Sequence, residues 1–333
     1  MITYRDSGVD IDAGNRAVAL LASSVASTRT DQVLVGGGGF GGLYAADGLG
    51  PGKVLVASTD GVGTKAELAG RYERWHGVGL DLVNHCINDI LVVGAEPMFF
   101  LDYIATSQLV AEVVAAIVGG VAEACREAGC ALLGGETAEM PGVYMPGAID
   151  VAGTIVGMAY RDRLWPRLDE MREGDLVVGL ASSGPHTNGY SLIRRLIEGR
   201  ELSRAMVDGL LAPHRSYLPL VRSLQAEGVE PKALAHVTGG GLIDNIPRVL
   251  PSGLGVTVEL GAWQVPEPFV TLVGWSGIDD AEAFRTWNMG IGMAAIIDPC
   301  LGQRAAELGC PRIGTVASVV DGEERVVLTG SWR

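Results

Sequence analysis

Short apolar segments that each end in a polar, glycine-rich loop recur along this 333-residue chain. Lys53–Thr59 (KVLVAST) runs into the loop DGVGTK, and Asp175–Ala181 runs into Ser182–Ser191 (SSGPHTNGYS). The chain has 48 glycines and 15 prolines, a share below the roughly 25–30% that marks low-complexity sequences. The glycines therefore shape particular loops in an ordered protein, and the pattern favours strands whose ends carry ligand-binding loops.

Helix-like segments alternate with these strands. Apolar residues recur every three to four positions in His76–Val93 and in Leu109–Ala128, which predicts two helices. The charged segment Arg161–Gly174 predicts a boundary between two α/β (α+β) domains, 1–165 and 166–333. Further strands are predicted over Met98–Thr106, Cys130–Leu133, Asp150–Tyr160, Ala233–Val237, Gly255–Leu260, Gly292–Asp298 and Arg312–Ala317, and further helices over Tyr190–Glu198 and Tyr217–Glu227.

Charge and composition exclude several classes of function. The net charge of −14 argues against general nucleic-acid binding, which needs a basic surface. The longest strictly apolar stretches are about ten residues, short of the ~20 of a membrane helix. The N-terminus MITYRDSGVDID lacks the apolar segment of a signal peptide. Five cysteines without a Cys-x-x-Cys motif argue against a disulfide framework, and we expect a cytoplasmic protein.

The segment Val33–Gly42 (VLVGGGGFGG) contains the spacing of a dinucleotide-binding fingerprint. The following Leu43–Asp47 is too short for the helix that such a site requires, so we reject that interpretation. Six glycines between positions 36 and 42 favour a mobile loop that covers phosphate, and a plain flexible loop is the alternative. The sequence has no Walker A motif.

Two carboxylates and a lysine suggest a second phosphate site. Asp60 ends a strand, Gly61 and Gly63 let backbone amides approach a ligand, and Lys65 adds a cation. Asp89 lies on a mostly apolar helix, where a carboxylate needs a partner. The two carboxylates could hold Mg²⁺ against phosphate oxygens. The alternative, left open by the pattern, is that Asp60 caps a turn and Asp89 is a surface acid.

Three further loops place polar residues after predicted strands. They are Gly134–Tyr144 with Glu136 and Glu139, Ser182–Ser191 with His186 and Asn188, and Val237–Asp244 (VTGGGLID) after His236. Open α/β sheets bind ligands at such strand ends. The residues by themselves therefore predict an enzyme that handles phosphates, without naming its substrate.

Taken together and in this order, the motifs resemble the phosphoribosylformylglycinamidine cyclo-ligase (aminoimidazole ribonucleotide synthetase) family. The resemblance runs from Tyr4 to about Met293 and rests on YRDSGVDIDAGN, GGFGG, STDGVGTK, GLDLVNHCINDILVVGAEPMFFLDYIAT, GGETAEMPGVY, SSGPHTNGYS, HVTGGGLIDNIPRVLP and FRTWNMGIGM. The chain departs from the family pattern in a shortened Gly199–Pro213, in Asp244 where glutamate is frequent, and in Trp287 where phenylalanine is frequent.

The resemblance implies an ATP- and Mg²⁺-dependent ligase of purine (IMP) biosynthesis. Family members close the imidazole ring of 5-aminoimidazole ribonucleotide from formylglycinamidine ribonucleotide through an iminophosphate, releasing ADP and phosphate. They are homodimers in which the N-terminal sheets of two chains pair into a barrel and the C-terminal domain is an α/β sandwich. The strands over Lys53–Thr59, Met98–Thr106 and Asp150–Tyr160 are apolar on both faces, which fits a sheet that needs cover.

The resemblance also implies roles for particular residues. Asp60 and Asp89 would bind the metal, and the catalytic set would be Lys65, His186, Asn188 and His236. The nucleotide would be bound or covered by Asp12, Gly14, Asn15, Gly38, Gly39, Gly41, Gly42, Thr59, Asp60, Gly61, Gly63, Thr64, Lys65, Asn88, Asp89, Gly135, Glu136, Thr238, Gly239 and Gly240.

Two kinds of alternative remain open on the sequence. Selenophosphate synthetase and thiamine-phosphate kinase resemble this family and share its acidic ATP site. Selenophosphate synthetase carries a reactive cysteine or selenocysteine near its N-terminus. In this chain no cysteine precedes Cys86, which argues against that enzyme. A non-catalytic nucleotide sensor is the other alternative, and the presence of Asp60, Asp89 and Lys65 argues against it.

Overall fold

The computed structural model describes residues 33–35, 42–320 and 322–333. These residues form two compact units. The first consists of 33–35, 42–164 and the short segment 211–216, and the second consists of the described residues of 165–210 and 217–333. The chain therefore leaves the first unit after Leu164 and returns to it for six residues.

The first unit is built on a mixed sheet covered on one face by helices. Its sheet order is β1-β2-β3-β6-β4-β5, in which β4 and β5 are parallel and the other neighbours antiparallel. The elements are β1 (Val33–Val35), β2 (Gly42–Ala45), β3 (Lys53–Gly61), α1 (Lys65–Arg71), α2 (Trp75–Leu91), β4 (Glu96–Thr106), α3 (Ala111–Ala128), β5 (Ala131–Glu139) and β6 (Ile149–Tyr160).

The alternation of residues along the strands decides which face is covered. On β4, Phe100 and Ile104 are fully buried, whereas Leu101 and Tyr103 point to the other face and are exposed. Helices α2 and α3 cross closely at Gly79 and Gly120. A Cβ on Gly79 would lie 2.0 Å from the carbonyl oxygen of Ile117, so only glycine permits this approach. The close crossing packs both helices on the face of Phe100.

Most predicted elements of this unit are present, with longer strands than expected. The predicted helix His76–Val93 corresponds to α2, and Gly129 ends α3 in the left-handed conformation with a φ of 76°. The prediction that Gly134–Tyr144 is a loop after a strand was wrong in part. Residues up to Glu139 continue β5, because they pair in register with β4 as far as Thr106.

The second unit carries its own mixed sheet, with the order β12-β9-β11-β7-β10-β8. Strands β12 and β9 are parallel, and the other neighbours are antiparallel. The elements are β7 (Leu176–Ala181), α4 (Tyr190–Ile197), α5 (Arg204–Leu210), α6 (Leu218–Ala226), β8 (Ala233–His236), α7 (Gly241–Asn245), β9 (Leu254–Glu259), α8 (Glu267–Ser276), α9 (Asp280–Thr286), β10 (Ile291–Ile297), α10 (Gly302–Glu307), β11 (Arg312–Ser318) and β12 (Val326–Thr329). Strand β10 lies between β7 and β8 and is buried along its whole length, as expected of a strand that is paired on both sides.

The expectation of two α/β units with mixed sheets is confirmed. Short 3₁₀ turns connect some elements, at Asp47–Leu49, Arg161–Arg163, Leu168–Glu170, Ile246–Val249, Leu260–Ala262 and Pro299–Leu301. Within the described ranges, no helix combines the length and apolar character needed to cross a bilayer.

Candidate functional site

Two of the predicted metal ligands lie together at the end of β3. Asp60 is the second-last residue of β3 and its carboxylate is 41% exposed, so a ligand can reach it. Asp89 lies near the end of α2 and is buried, and Ser58 Oγ donates a hydrogen bond to its Oδ2 at 3.2 Å. The side chain that joins them is His85, one helical turn before Asp89. Its Nε2 lies 2.8 Å from Asp60 Oδ2 and 3.8 Å from Asp89 Oδ2.

His85 is a buried cation in this arrangement. Burial by itself lowers the pKa of His85, but the hydrogen bond to Asp60 and the charges of Asp89, Asp60 and Asp81 outweigh it. The pKa of His85 rises from 6.5 to about 9, so the imidazole is protonated at neutral pH. The two carboxylates therefore create a strongly cation-attracting environment at this strand end.

The donor set fits Mg²⁺. Asp60 and Asp89 supply carboxylate oxygens and Ser58 a hydroxyl oxygen, and hard divalent cations prefer oxygen ligands. The exposed side of Asp60 leaves room for a metal-bound phosphate.

Asp60 also makes the contact expected of a turn-capping residue. Its Oδ1 accepts a hydrogen bond of 2.7 Å from the backbone N–H of Gly61. The loop then continues through Gly63, with a φ of 63°, to Thr64, the residue before α1. Both interpretations of Asp60, turn cap and metal ligand, are therefore compatible with its two oxygens.

Lys65 does not lie with these carboxylates on an open surface. Its side chain is 1% exposed, and Nζ lies 2.8 Å from Asp81 Oδ1 and donates at 2.8 Å to the carbonyl oxygen of Ala212. Burial lowers the pKa of Lys65 and raises the pKa of Asp81, and the ion pair opposes both shifts. A nucleotide contact would require Lys65 to leave this pocket.

The segment 211–216 lies along α2 and is held there by side chains of the first unit. Asn84 Nδ2 donates to the carbonyl oxygen of His214, and Asn88 Nδ2 donates to that of Arg215, both at 2.8 Å. The backbone N–H of His214 donates to Asp81 Oδ1 at 2.6 Å. The imidazole of His214 packs against that of His85, with ring centroids 5.1 Å apart and the ring planes tilted by 42°.

Other predicted nucleotide-binding residues of the first unit lie on β3 itself and on β5, which β6 and β4 separate from β3. Thr59 shares a 2.7 Å hydrogen bond with Thr154. Gly135 pairs with Asp102 across β5 and β4, and Glu136 follows it as an exposed residue of β5. Burial raises the pKa of the half-buried Asp102.

The predicted residues of the second unit lie at the ends of β7 and β8. His186 follows β7 with a φ of 58°, and its Nε2 accepts a 3.4 Å hydrogen bond from the backbone N–H of Ser183. A Cβ on Gly292 would lie 2.3 Å from His186 Cε1, so glycine is required beside the ring. In the described part of the chain, Asn188 Nδ2 is buried and has no hydrogen-bond partner, as expected of a group that awaits a ligand.

The loop after β8 is shaped by one asparagine. Asn245 Nδ2 donates to the carbonyl oxygens of Thr238, Gly239 and Gly241, and Gly240 has a φ of 93°. His236, the last residue of β8, is fully buried. Gly239 lies near Asn188, because a Cβ there would be 3.7 Å from Asn188 Oδ1. Thus Asn188 and the TGGG loop are neighbours.

Several predicted residues cannot be placed. Gly42 begins β2, but Asp12, Gly14, Asn15, Gly38, Gly39 and Gly41 lie outside the described residues. The prediction of a loop that covers phosphate over 36–42 falls largely on that part of the chain.

Sequence reasoning missed His85, Asp81, His214 and the return of 211–216. A signal for the first two was present, because positions 81, 85 and 89 recur every four residues and so share one face of a helix. No local pattern indicates that 211–216 belongs with α2, since the contact spans more than a hundred residues of chain.

Two family descriptions match most of the chain. The family described as AIR synthase related protein, N-terminal domain, matches residues 42–159, and AIR synthase related protein, C-terminal domain, matches residues 172–323.

Curated relatives and a solved structure resemble the chain over nearly its whole length. A phosphoribosylformylglycinamidine cyclo-ligase from Xanthomonas campestris pv. campestris is 46% identical over 98% of this chain and 99% of the relative. One of the same name from Desulfitobacterium hafniense is 48% identical over 89% of each chain. The structure of AaThiL complexed with AMPPCP and TMP has a TM-score of 0.67 at 17% identity, covers 93% of this chain and 92% of that chain, and shows a similar fold.

Proposed function

The chain belongs to the AIR synthase related family, and we propose that it catalyses the ATP-dependent cyclisation of formylglycinamidine ribonucleotide to 5-aminoimidazole ribonucleotide. The observation that carries this proposal is the 46–48% identity to cyclo-ligases over almost the full chain. The reaction forms the imidazole ring of a purine precursor and releases ADP and phosphate.

The proposed chemistry has two steps. The formyl amide oxygen attacks the γ-phosphorus of ATP, an O–P bond forms, and the bond to the β-phosphate oxygen breaks so that ADP leaves. The amide nitrogen loses its proton, which gives the iminophosphate. The neighbouring amine then attacks the activated formyl carbon, the new C–N bond closes the ring, and the C–O bond breaks. Phosphate departs with the original formyl oxygen, and the amine loses a proton. Such transfers depend mainly on positioning and on neutralising phosphate charge.

The first unit supplies the charge-neutralising part of this site. We assign Asp60 and Asp89 to a Mg²⁺ ion, which would neutralise phosphate oxygens when ATP is bound. The exposure of the Asp60 carboxylate supports this assignment. Ser58 binds Asp89, and His85 lies close to both carboxylates. Thr59, Gly61, Gly63 and Thr64 flank the same strand end and offer backbone and hydroxyl groups to the nucleotide.

The second unit supplies polar groups for the substrate or the transferred phosphate. We assign this role to Asn188, whose buried and unsatisfied amide nitrogen supports it, and to the neighbouring loop of Thr238, Gly239 and Gly240. His186 and His236 are proposed to line the same strand ends. We also propose that Gly135 and Glu136 bind the nucleotide.

We further propose that the protein is a homodimer of the cytoplasm. The face of the first sheet opposite α2 and α3 carries exposed Tyr44, Leu101 and Tyr103, with exposures of 48%, 38% and 37%. Leu101 and Tyr103 lie two residues apart on one strand and so share this face. An exposed apolar sheet face of this kind suits pairing with a second copy of the chain.

The experiment that tests the proposed function is ADP release by the purified protein. We expect release that requires formylglycinamidine ribonucleotide and yields 5-aminoimidazole ribonucleotide in equal amount, identified by mass spectrometry. Thiamine phosphate and selenide serve as control substrates for the alternative activities. Release with either control alone, or ATP binding without turnover, would contradict the proposal.

A further inference from the structure

Lys65 is a buried cation of the first unit, and the proposed chemistry assigns it no role at the position that it occupies. It begins α1, four residues after the end of β3, the strand that carries Asp60. Its side chain and that of Asp81 are each 1% exposed. A buried charge is stabilised by its partner, and moving one partner away leaves the other uncompensated. The ion pair with Asp81 therefore holds the side chain of Lys65 in its buried position.

Both members of the ion pair form hydrogen bonds with the backbone of the segment 211–216. Lys65 Nζ donates to the carbonyl oxygen of Ala212, and Asp81 Oδ1 accepts the backbone N–H of His214. Two charged side chains that pair with each other thus hold both ends of a three-residue stretch. Charge-assisted hydrogen bonds of this kind are stronger than neutral ones, and Asn84 adds a further bond to the carbonyl oxygen of His214.

The held segment leads by direct contacts to the proposed metal site. The His214 ring contacts the His85 ring in a tilted arrangement, with a centroid distance of 5.1 Å. His85 lies 2.8 Å from Asp60 and 3.8 Å from Asp89. Because His85 and His214 are both buried, the position of one ring limits the orientation of the other.

We propose that Lys65 and Asp81 are a positioning pair for the reaction: they fix 211–216 on α2, so that His214 holds His85 behind the two metal-binding carboxylates. Lys65 then acts through the segment and makes no contact with phosphate. This inference deepens the proposed function and rests on its assignment of Asp60 and Asp89.

The test compares a single with a double substitution. Lys65→Met leaves Asp81 buried without its partner, and we expect faster hydrogen exchange at the His214 amide, weaker Mn²⁺ binding and a fall in kcat of about 10²-fold. Lys65→Met with Asp81→Leu replaces both charges by apolar groups, which is often tolerated. The double variant leaves no unpaired charge but still lacks both bonds to the segment, so we expect it to fold, to keep fast exchange at the His214 amide and to recover neither Mn²⁺ affinity nor turnover. Recovery of all three would contradict the proposal, because the unpaired charge of Asp81 alone would then explain the single variant. Lys53→Met, a lysine substitution on β3, serves as the matched control and should leave all three readouts unchanged.

A phosphate contact by Lys65 predicts a different outcome. Lys65→Met would then raise the KM for ATP and lower turnover, while exchange at the His214 amide and Mn²⁺ affinity stayed at their wild-type values. That result would overturn the proposal. Asn84→Ala tests the same idea without touching the pair: it should speed exchange at His214 and weaken Mn²⁺ binding, and unchanged values for both would contradict the proposal even if the double variant fails to fold.

These readouts also separate the inference from the proposed function. Amide exchange and Mn²⁺ affinity are measured without the ribonucleotide substrate. If the wild-type protein releases no ADP with formylglycinamidine ribonucleotide, the proposed function fails, while the effect of the pair on the metal site is still decided by exchange and Mn²⁺ binding.

Discussion

Asp60 uses its two carboxylate oxygens for different contacts. Oδ1 accepts the N–H of Gly61, as a turn-capping residue does, and Oδ2 faces His85 and the open side of the site. An asparagine caps a turn about as well as an aspartate. It lacks the negative charge with which a carboxylate binds Mg²⁺. Substitution at this residue therefore separates the two roles.

We expect Asp60→Asn to lower turnover by roughly 10²-fold or more. The capping oxygen is retained, but the amide NH₂ then faces the protonated His85 in place of Oδ2, so we also expect a lower midpoint of thermal unfolding. Part of the activity should return at high Mg²⁺ concentration, in a titration of rate against Mg²⁺. Asp162→Asn, at an exposed carboxylate far along the chain, is the control. Near wild-type turnover of Asp60→Asn at low Mg²⁺ would favour the turn-capping role alone.

Gly135 and its neighbour Gly134 offer a test at a single backbone position. A Cβ on Gly135 would lie 2.4 Å from Asp102 Oδ1 and 2.7 Å from its carbonyl oxygen, whereas a Cβ on Gly134 would approach Leu101 no closer than 3.9 Å. We expect Gly135→Ala to cost about 1–3 kcal/mol in the free energy of unfolding. Gly134→Ala should be close to neutral in the same denaturant titration. Equal effects of the two substitutions would show that the close approach to Asp102 does not limit this strand.

At the scale of elements, the crossing of α2 and α3 depends on glycine at one of two adjacent positions. A Cβ on Gly120 would lie 2.1 Å from the carbonyl oxygen of His76, while one on Gly119 would meet His76 Cδ2 at an ordinary 3.7 Å. Alanine favours a helix over glycine by up to about 1 kcal/mol. Gly119→Ala should therefore be neutral or stabilising, and Gly120→Ala strongly destabilising.

Thermal unfolding of the two variants measures this difference directly. A lower midpoint for Gly120→Ala together with an unchanged or higher midpoint for Gly119→Ala is the expected result. If both variants unfold at the wild-type temperature, the helices do not cross as closely as the structure shows. The packing of α2 and α3 on the face of Phe100 would then need revision.

The elements themselves were largely predictable from local patterns. The periodicity of α2 and α3 and the apolar runs of β3, β4 and β6 indicate those elements without any knowledge of the fold. The helix that begins at Lys65 was not predicted, because its seven residues are too few to show a period. Strand β5 was predicted too short, because GGETAE is polar and glycine-rich, and only its pairing with β4 makes it a strand.

The candidate site was predictable in part, because local patterns also indicated two of its residues. A carboxylate after a strand and another on an apolar helix pointed to Asp60 and Asp89, and the structure brings them together through His85. Whether they bind Mg²⁺ stays a prediction. The placement of Lys65 depends on Ala212 and His214, which are distant in sequence, so no local pattern could show that its Nζ points into a buried pair.

At the scale of the whole molecule, the exposed apolar face of the first sheet underlies the proposed dimer. Leu101→Glu places a charge on this face, and we expect it to convert a dimer into a monomer of about the chain mass of 34.8 kDa. Val270→Glu, at an exposed apolar residue of the second unit, should leave the dimer intact. Sedimentation velocity at micromolar concentration measures both. A wild-type protein that sediments as a monomer would contradict the dimer.

The account as a whole proposes that the protein transfers the γ-phosphate of ATP to the formyl oxygen of its substrate before the ring closes. The most direct test uses formylglycinamidine ribonucleotide labelled with ¹⁸O at that oxygen, with mass spectrometry of the phosphate released in a full turnover. Because the C–O bond of the activated carbon breaks in the second step, we predict that the label appears in the phosphate. Unlabelled phosphate, or ATP hydrolysis that leaves the ribonucleotide unchanged, would contradict the account.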